Sequence, residues 1–304
     1  MSFTTEITLT GPLRGPAQML ADQEYDGHAS VHDDATAASL GLAGAPIEGP
    51  THFSQFDPLA FRLFGSAWFE QGCISCHFQT MVVEGEQVQA VAIADPDGPV
   101  RIEARKGSGE TVLTGTMSVG PDHGDTELTR RRARMTDPGP LVILDRLEVG
   151  MCEDGGVVCV THEDANGSHY PFSLADKLRR ITEPHPWYTP AGGSSSPWGR
   201  AVLPFEMIAV LAHKDGAGWP VRTPSIGLFL DLEIRLVEGP VFVGQSYALR
   251  REIVGLGQSR KTESYWTRTT LTDVDTGART AEVLLHQGRF KASYPDYPPE
   301  RLAQ

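Results

Sequence analysis

Apolar and polar residues alternate with a period of two over several well-separated stretches of the chain. The clearest runs from Ile226 to Val237, where Leu228, Leu230, Leu232, Ile234 and Leu236 fall on one face and Asp231, Glu233 and Arg235 on the other. Strands are also expected at 72–83, 87–94, 100–107 and 111–119. Turn signals separate them at Glu84-Gly85, Asp95-Pro96-Asp97-Gly98 and Lys106-Gly107-Ser108-Gly109. Further strands are predicted at 141–149, 156–161, 247–254, 263–272 and 280–290, with Asp273 to Gly277 as a hairpin turn. A weaker strand covers 3–10 and meets a Gly-Pro turn. Two segments carry helical spacing instead. Apolar residues at 53, 56, 59, 60, 63 and 64 give 51–64 one buried stripe, and Pro204 to His213 is apolar nearly all round, which predicts a buried helix.

Between the first strand and the first long helix lies Val31 to Pro50. Asp33 and Asp34 can accept hydrogen bonds from the free amides of a first helical turn, 35–40 is a good helix former, and Gly41 stops it. The glycine- and proline-rich stretch 44–50 then keeps the backbone bare just before helix 51–64. Such a turn at a helix N-terminus can receive an anion or a polarised carbonyl. His32 places a potential base close by.

Composition narrows the function classes. With 304 residues the chain holds one large domain or two of about 150. A net charge of −13 argues against nucleic acid or anionic lipid as a partner. No apolar run reaches the roughly 18 residues of a membrane span, and Met1 to Ile7 is not a signal peptide, so a cytoplasmic location is expected. Cys73, Cys76 and His77 have the spacing of a c-type haem attachment, but strand alternation sends the two cysteines to opposite faces, which predicts neither haem nor zinc. No nucleophile elbow, phosphate loop or dinucleotide fingerprint is present, so no cofactor and no metal are expected. The polar stretch 126–140 contains Arg130, Arg131, Arg132 and Arg134 and is the best linker. Its arginines read as a solvated surface or as a dock for carrier phosphates.

The two halves repeat one another. Each has a glycine loop, an apolar helix, a long strand and then three antiparallel strands. Gly44-Ala45-Pro46-Ile47 is similar to Gly199-Arg200-Ala201-Val202, and Val82 to Val88 is similar to Val241 to Tyr247. An antiparallel sheet curved around a buried helix is the hotdog arrangement, here predicted twice.

With Val31 to Ala38, Ile47-Glu48-Gly49, Val82 to Gly85, Ser196 to Gly199 and Gly239 to Gly244, the sequence resembles the MaoC-like double-hotdog hydratases and dehydratases over nearly its whole length. The resemblance implies an α+β double hotdog, with one unit at 1–125, a linker at 126–140 and a second unit at 141–304. It also implies addition or removal of water at an enoyl or 3-hydroxyacyl thioester. Coenzyme A is favoured over a carrier protein, because carrier proteins are acidic and so is this chain. A homodimer is compatible with it.

In that family an Asp and a His five residues later hold the water. His32, Asp34 and Ala38 match the pattern, but the Asp position falls on Gly27 and Asp26 is one residue away. The resemblance therefore assigns His32 as the base that takes or returns the proton at the water, and Asp26 as the residue that orients it. Gly49 would offer an amide to the thioester oxygen, and Phe53 and Phe56 would lie beside the acyl chain. His28, His52 and Asp57 are reserve candidates. The second half has no His-x-Asp motif, so the site is expected in the first. Two other readings stay open: a hotdog thioesterase using Asp57 or Glu48, and a non-catalytic acyl- or small-molecule-binding protein with a degenerate dyad.

Overall fold

The computed structural model describes residues 5–25, 28–95 and 98–302. In the first half, strand β1 (Ile7–Arg14) is followed by a short ladder of β2 (Glu24–Tyr25) and β3 (His28–Ala29), then helix α1 (Asp34–Ser39). A 3-10 helix (Gly49–Gln55) leads into α2 (Asp57–Phe64) and α3 (Ala67–Gln71). Strands β4 (Gly72–Phe78), β5 (Val88–Ala94), β6 (Val100–Lys106) and β7 (Thr111–Val119) complete the half. Helix α4 (Glu127–Arg132) bridges to β8 (Cys152–Cys159), α5 (Leu174–Arg180), α6 (Pro190–Gly193) and α7 (Phe205–His213). The long strands β9 (Gly227–Leu236), β10 (Ser246–Gln258), β11 (Thr262–Asp273) and β12 (Arg279–Phe290) end the second half.

Among the described residues, ten strands form one antiparallel sheet in the order β1-β5-β6-β7-β4-β9-β12-β11-β10-β8. The order is a palindrome of roles. Each half contributes five strands, and the two long strands that follow the helices, β4 and β9, pair at the centre, with Ile74 opposite Ile234. The two sheets expected side by side are therefore hydrogen-bonded into one. The repeat extends to detail. An isolated bridge joins Pro46 to Val83 in the first half, and another joins Val202 to Phe242 in the second, both within the segments whose sequences match.

Helix α7 is buried from Phe205 to Ala212, as its all-round apolarity requires, and packs against the 3-10 helix of the other half. The helix expected over 51–64 is broken in two. Pro58 cannot donate a backbone hydrogen bond, and Phe56 sits between a 3-10 turn and α2, yet Phe53, Phe56, Leu59 and Ala60 keep one buried stripe across the break. Gly72 allows α3 to fold back onto β4, because a Cβ there would lie 2.2 Å from the Trp68 carbonyl oxygen.

Three local expectations are corrected. Gly11 and Pro12 do not end β1 but form an irregularity within it, tolerated because β1 is an edge strand. Residues 141–149 are not a strand. Their amides at Val142, Ile143 and Leu144 donate to the Glu263 carboxylate at 2.8, 2.8 and 3.0 Å, so a side chain takes the place of a neighbouring strand. The third concerns 126–140, where α4 lies against the sheet rather than in solvent. Thr126 donates to Glu233 at 2.6 Å, Leu128 is fully buried, and the Arg131 guanidinium pairs with Asp231 at 2.8 Å.

Asp231 sits at the seam between the halves and is fully buried rather than facing water. Burial works against its charge, but His286 donates to it at 2.5 Å, His77 donates at 2.8 Å and Arg131 adds its charge. These outweigh burial and hold its carboxyl down to about 2. A depressed folded-state value adds stability above the ordinary range near 3.8, and this is lost as pH falls toward 2. Asp231→Asn is expected to lower stability by about 2 kcal/mol at pH 7. Urea titrations should show that gap closing by pH 2. A gap independent of pH would assign the effect to packing alone.

Candidate functional site

One cavity of about 200 Å³ opens where the loop before α1, the 3-10 helix and the start of β9 converge. Its polar wall carries His32, Glu48, Gly49, His52, His28 and Gln23, and its apolar wall carries Phe78, Val82, Val112, Ile226, Leu228 and Leu230. The first half thus supplies most of the polar groups and the second half closes the cavity with β9. Gln287 and Arg289 of β12 also reach it.

His32 stands in the wall because α1 begins just after it. Asp33 caps that helix, accepting from the Thr36 amide at 2.8 Å, while Asp34 accepts from the Ala45 amide at 3.1 Å and ties down the glycine-rich turn. The Nδ1 of His32 lies 2.6 Å from the Pro46 carbonyl oxygen. A carbonyl only accepts, so Nδ1 carries the proton and Nε2 is left as the basic nitrogen. Burial lowers the ring to about 4, against the opposing effect of the Pro46 bond, and His32 is neutral at physiological pH.

Glu48 and His52 lie deeper, 6% and 2% exposed. Behind them is a buried ion pair, Lys177 Nζ to Glu206 at 3.0 Å. Burial raises Glu48 to about 7, with the nearby Glu206 charge adding to the effect and Lys177 and the Tyr170 hydroxyl opposing it. Burial, then the Lys177 charge, lowers His52 to about 4. The Nδ1 of His52 is buried with no hydrogen-bond partner among the described residues, and the same is true of His28 Nε2. Buried polar atoms without partners in a cavity wall are sites a polar ligand would satisfy.

Gly49 opens the 3-10 helix, so its amide has no acceptor within that helix. Its lack of a side chain is required, since a Cβ would lie 2.7 Å from the ring of Phe78. Phe53 and Phe56 are fully buried in the core and do not line the cavity. Phe53 instead stacks behind Phe78 at 6.3 Å, and Phe78 is the wall residue. Asp57 is also outside the cavity. Tyr188 donates to it at 2.7 Å and Trp68 at 3.0 Å, and burial raises its carboxyl to about 7. It is held as an internal tie between the halves. Asp26 lies outside the described residues.

Cys73 and Cys76 are both buried in β4, and burial, with the Glu233 charge adding to it, raises both thiols well above their ordinary value. No group of three or more metal-ligating side chains occurs among the described residues.

Compared with solved structures, the chain aligns over 95% of its length with 95% of a protein described as a MaoC-domain dehydratase from Chloroflexus aurantiacus, at a TM-score of 0.62 and 15% identity. A conserved protein of Mycobacterium tuberculosis with a double-hotdog fold aligns over 92% of this chain and 96% of its own, at 0.55 and 12%. The fold is a double hotdog. A third such structure, described as a MaoC-like dehydratase, aligns over 94% of this chain and 97% of its own, at 0.50 and 14%. No protein-family profile matches the sequence, and no curated protein matches it. At these identities the likeness concerns the double hotdog alone. No helix among the described residues is long and apolar enough to cross a membrane.

Sequence reasoning placed His32, Gly49, His28 and His52 around what is one cavity. It missed the wall from β9 and β12, because alternation marks which face of a strand is apolar but not which half of the molecule that face meets.

Proposed function

We propose that this double hotdog is a MaoC-like hydro-lyase that adds water to an enoyl thioester, or removes it from a 3-hydroxyacyl thioester. The observation that carries the reading is His32: a neutral imidazole with its tautomer fixed by Pro46, set in the wall of a mostly apolar cavity. In dehydration we assign this imidazole to the proton at C2 of a 3-hydroxyacyl thioester, in place of the water-side role that the family pattern implies. The Gly49 amide, which has no acceptor within its own helix, is assigned to stabilise the enolate oxygen that forms. Asp26 is assigned as the orienting partner of His32. The reading further includes two units at 1–125 and 141–304 joined through 126–140, coenzyme A as the carrier, a cytoplasmic location and assembly as a homodimer, with neither cofactor nor metal taking part.

Turnover by the purified chain tests this. Catalytic amounts of protein should bleach the conjugated absorbance of a short enoyl-coenzyme A without releasing thiol. Thiol release with the double bond intact would instead support the thioesterase reading, for which Glu48, inside the cavity, is the available carboxylate.

A further inference from the structure

Gly27 occupies the position where the family pattern has its carboxylate. Among the described residues that line the cavity, Glu48 is the one carboxylic acid; the other ionisable groups are His28, His32, His52 and Arg289. The remaining buried acids nearby are committed elsewhere, Asp57 to Tyr188 and Trp68, and Glu206 to Lys177. Glu48 directly precedes Gly49, so the residue with the candidate oxyanion amide is its immediate neighbour.

We propose that Glu48 is the general acid of this site, protonating the departing C3 hydroxyl in dehydration and deprotonating water in hydration. The assignment rests on the hydro-lyase reading. In dehydration, His32 Nε2 takes the C2 proton and the C2–H electron pair becomes the new π bond. The C3–O bond breaks, its electrons stay on oxygen, and the Glu48 proton completes a water molecule. His32 is left as imidazolium and Glu48 as carboxylate, and return of one proton from the ring to the carboxylate resets the pair. Hydration runs the same steps in reverse.

The surroundings of Glu48 favour a transferable proton. Lys177 of α5 and the Tyr170 hydroxyl stabilise the carboxylate, while burial and Glu206 of α7 oppose it. His52, one turn along the 3-10 helix, is neutral and adds no charge. The balance leaves Glu48 near 7, where it exchanges protons in either direction at neutral pH.

The test compares two leaving groups in wild type, Glu48→Gln and His32→Ala, each as the full chain. A 3-hydroxyacyl thioester needs an acid to expel water. A 3-chloroacyl thioester of equal length expels chloride without one. Glu48→Gln is expected to lower kcat for water loss by about 100-fold or more while leaving chloride loss within about threefold. His32→Ala should suppress both. The wild-type kcat for dehydration should fall above about pH 7, and that limb should vanish in Glu48→Gln. Equal losses on both substrates would mean that Glu48 only shapes the site, and unchanged water loss would mean that it plays no part; either result overturns the assignment. Glu48→Asp, which keeps the acid, should retain more water loss than Glu48→Gln, and guards against misfolding of the glutamine variant. A wild type that eliminates chloride but not water overturns Glu48 as the acid while leaving His32 as a base. A wild type inert to both overturns the hydro-lyase reading itself.

Discussion

Replacing His32 with alanine is expected to slow dehydration of a 3-hydroxyacyl thioester by about 10² to 10⁴ fold, the usual contribution of a positioned general base. The same substitution removes one hydrogen bond, from Nδ1 to the Pro46 carbonyl at 2.6 Å, and one such bond contributes about 1 kcal/mol to stability. The two effects differ in scale and are measured separately, by initial rates and by chemical denaturation. A large loss of rate beside a small loss of stability has a catalytic explanation. If instead stability falls by about 1 kcal/mol and the rate is unchanged, His32 serves only the entry to α1. Asp26→Asn should be the milder change if Asp26 only orients the imidazole.

The largest stability effect is expected at Lys177. Its side chain is 3% exposed, its ammonium pairs at 3.0 Å with Glu206, whose side chain is 1% exposed, and the same ammonium lies 5.2 Å from the centroid of the Phe172 ring. Removing one member of a buried pair strands the other, and such changes cost about 3–5 kcal/mol. Lys177→Met should therefore destabilise strongly at pH 8, where Glu206 would be left charged close to Glu48. Burial already raises Glu206 above the ordinary carboxylate range, and the lysine, ahead of the Ser54 hydroxyl, is the main group that opposes that rise. Without Lys177, Glu206 takes up a proton more readily, so the deficit should shrink as pH falls toward 5. The double variant Lys177→Met, Glu206→Gln should recover most of the loss, because neither charge remains unpaired. Urea midpoints at the two pH values check both statements. A single variant as stable as wild type would mean that water already reaches the pair.

Much of the fold is legible where local pattern and tertiary outcome coincide. Strands β5, β6, β7, β10, β11 and β12 follow their alternation and turn signals to within a few residues, and α7 is buried because nearly all its positions are apolar. The repeat is legible for the same reason, since equivalent glycine loops end in equivalent bridges. The failures arise where a distant partner decides. The apolar stretch 141–149 looks like a strand, but Glu263, about 120 residues away, takes its amides. Asp231 and Glu233 alternate like solvent-facing residues, yet α4 covers them with Arg131 and Thr126. Arg131 of the basic cluster is thereby paired with Asp231, and Arg132 donates to the Val254 carbonyl, rather than both being offered to a phosphate.

The site divides along the same line. His32 and its capping neighbours are local features and can be read from one segment. Phe53 and Phe56 looked like wall residues because they fall on the buried face of the helix, but that face meets the core, and Phe78 stands between Phe53 and the cavity. Glu48 is legible in the sequence as a thioesterase carboxylate, but its raised carboxyl depends on burial and on Lys177, Glu206 and Tyr170, all supplied by the second half.

The most direct test of the hydro-lyase assignment is the fate of solvent oxygen. The full chain would be incubated with a short enoyl-coenzyme A in water enriched in oxygen-18, and the products analysed by mass spectrometry. Heavy oxygen on the C3 hydroxyl of an intact thioester is the predicted result. Heavy oxygen in a released carboxylate, or none incorporated at all, would contradict it.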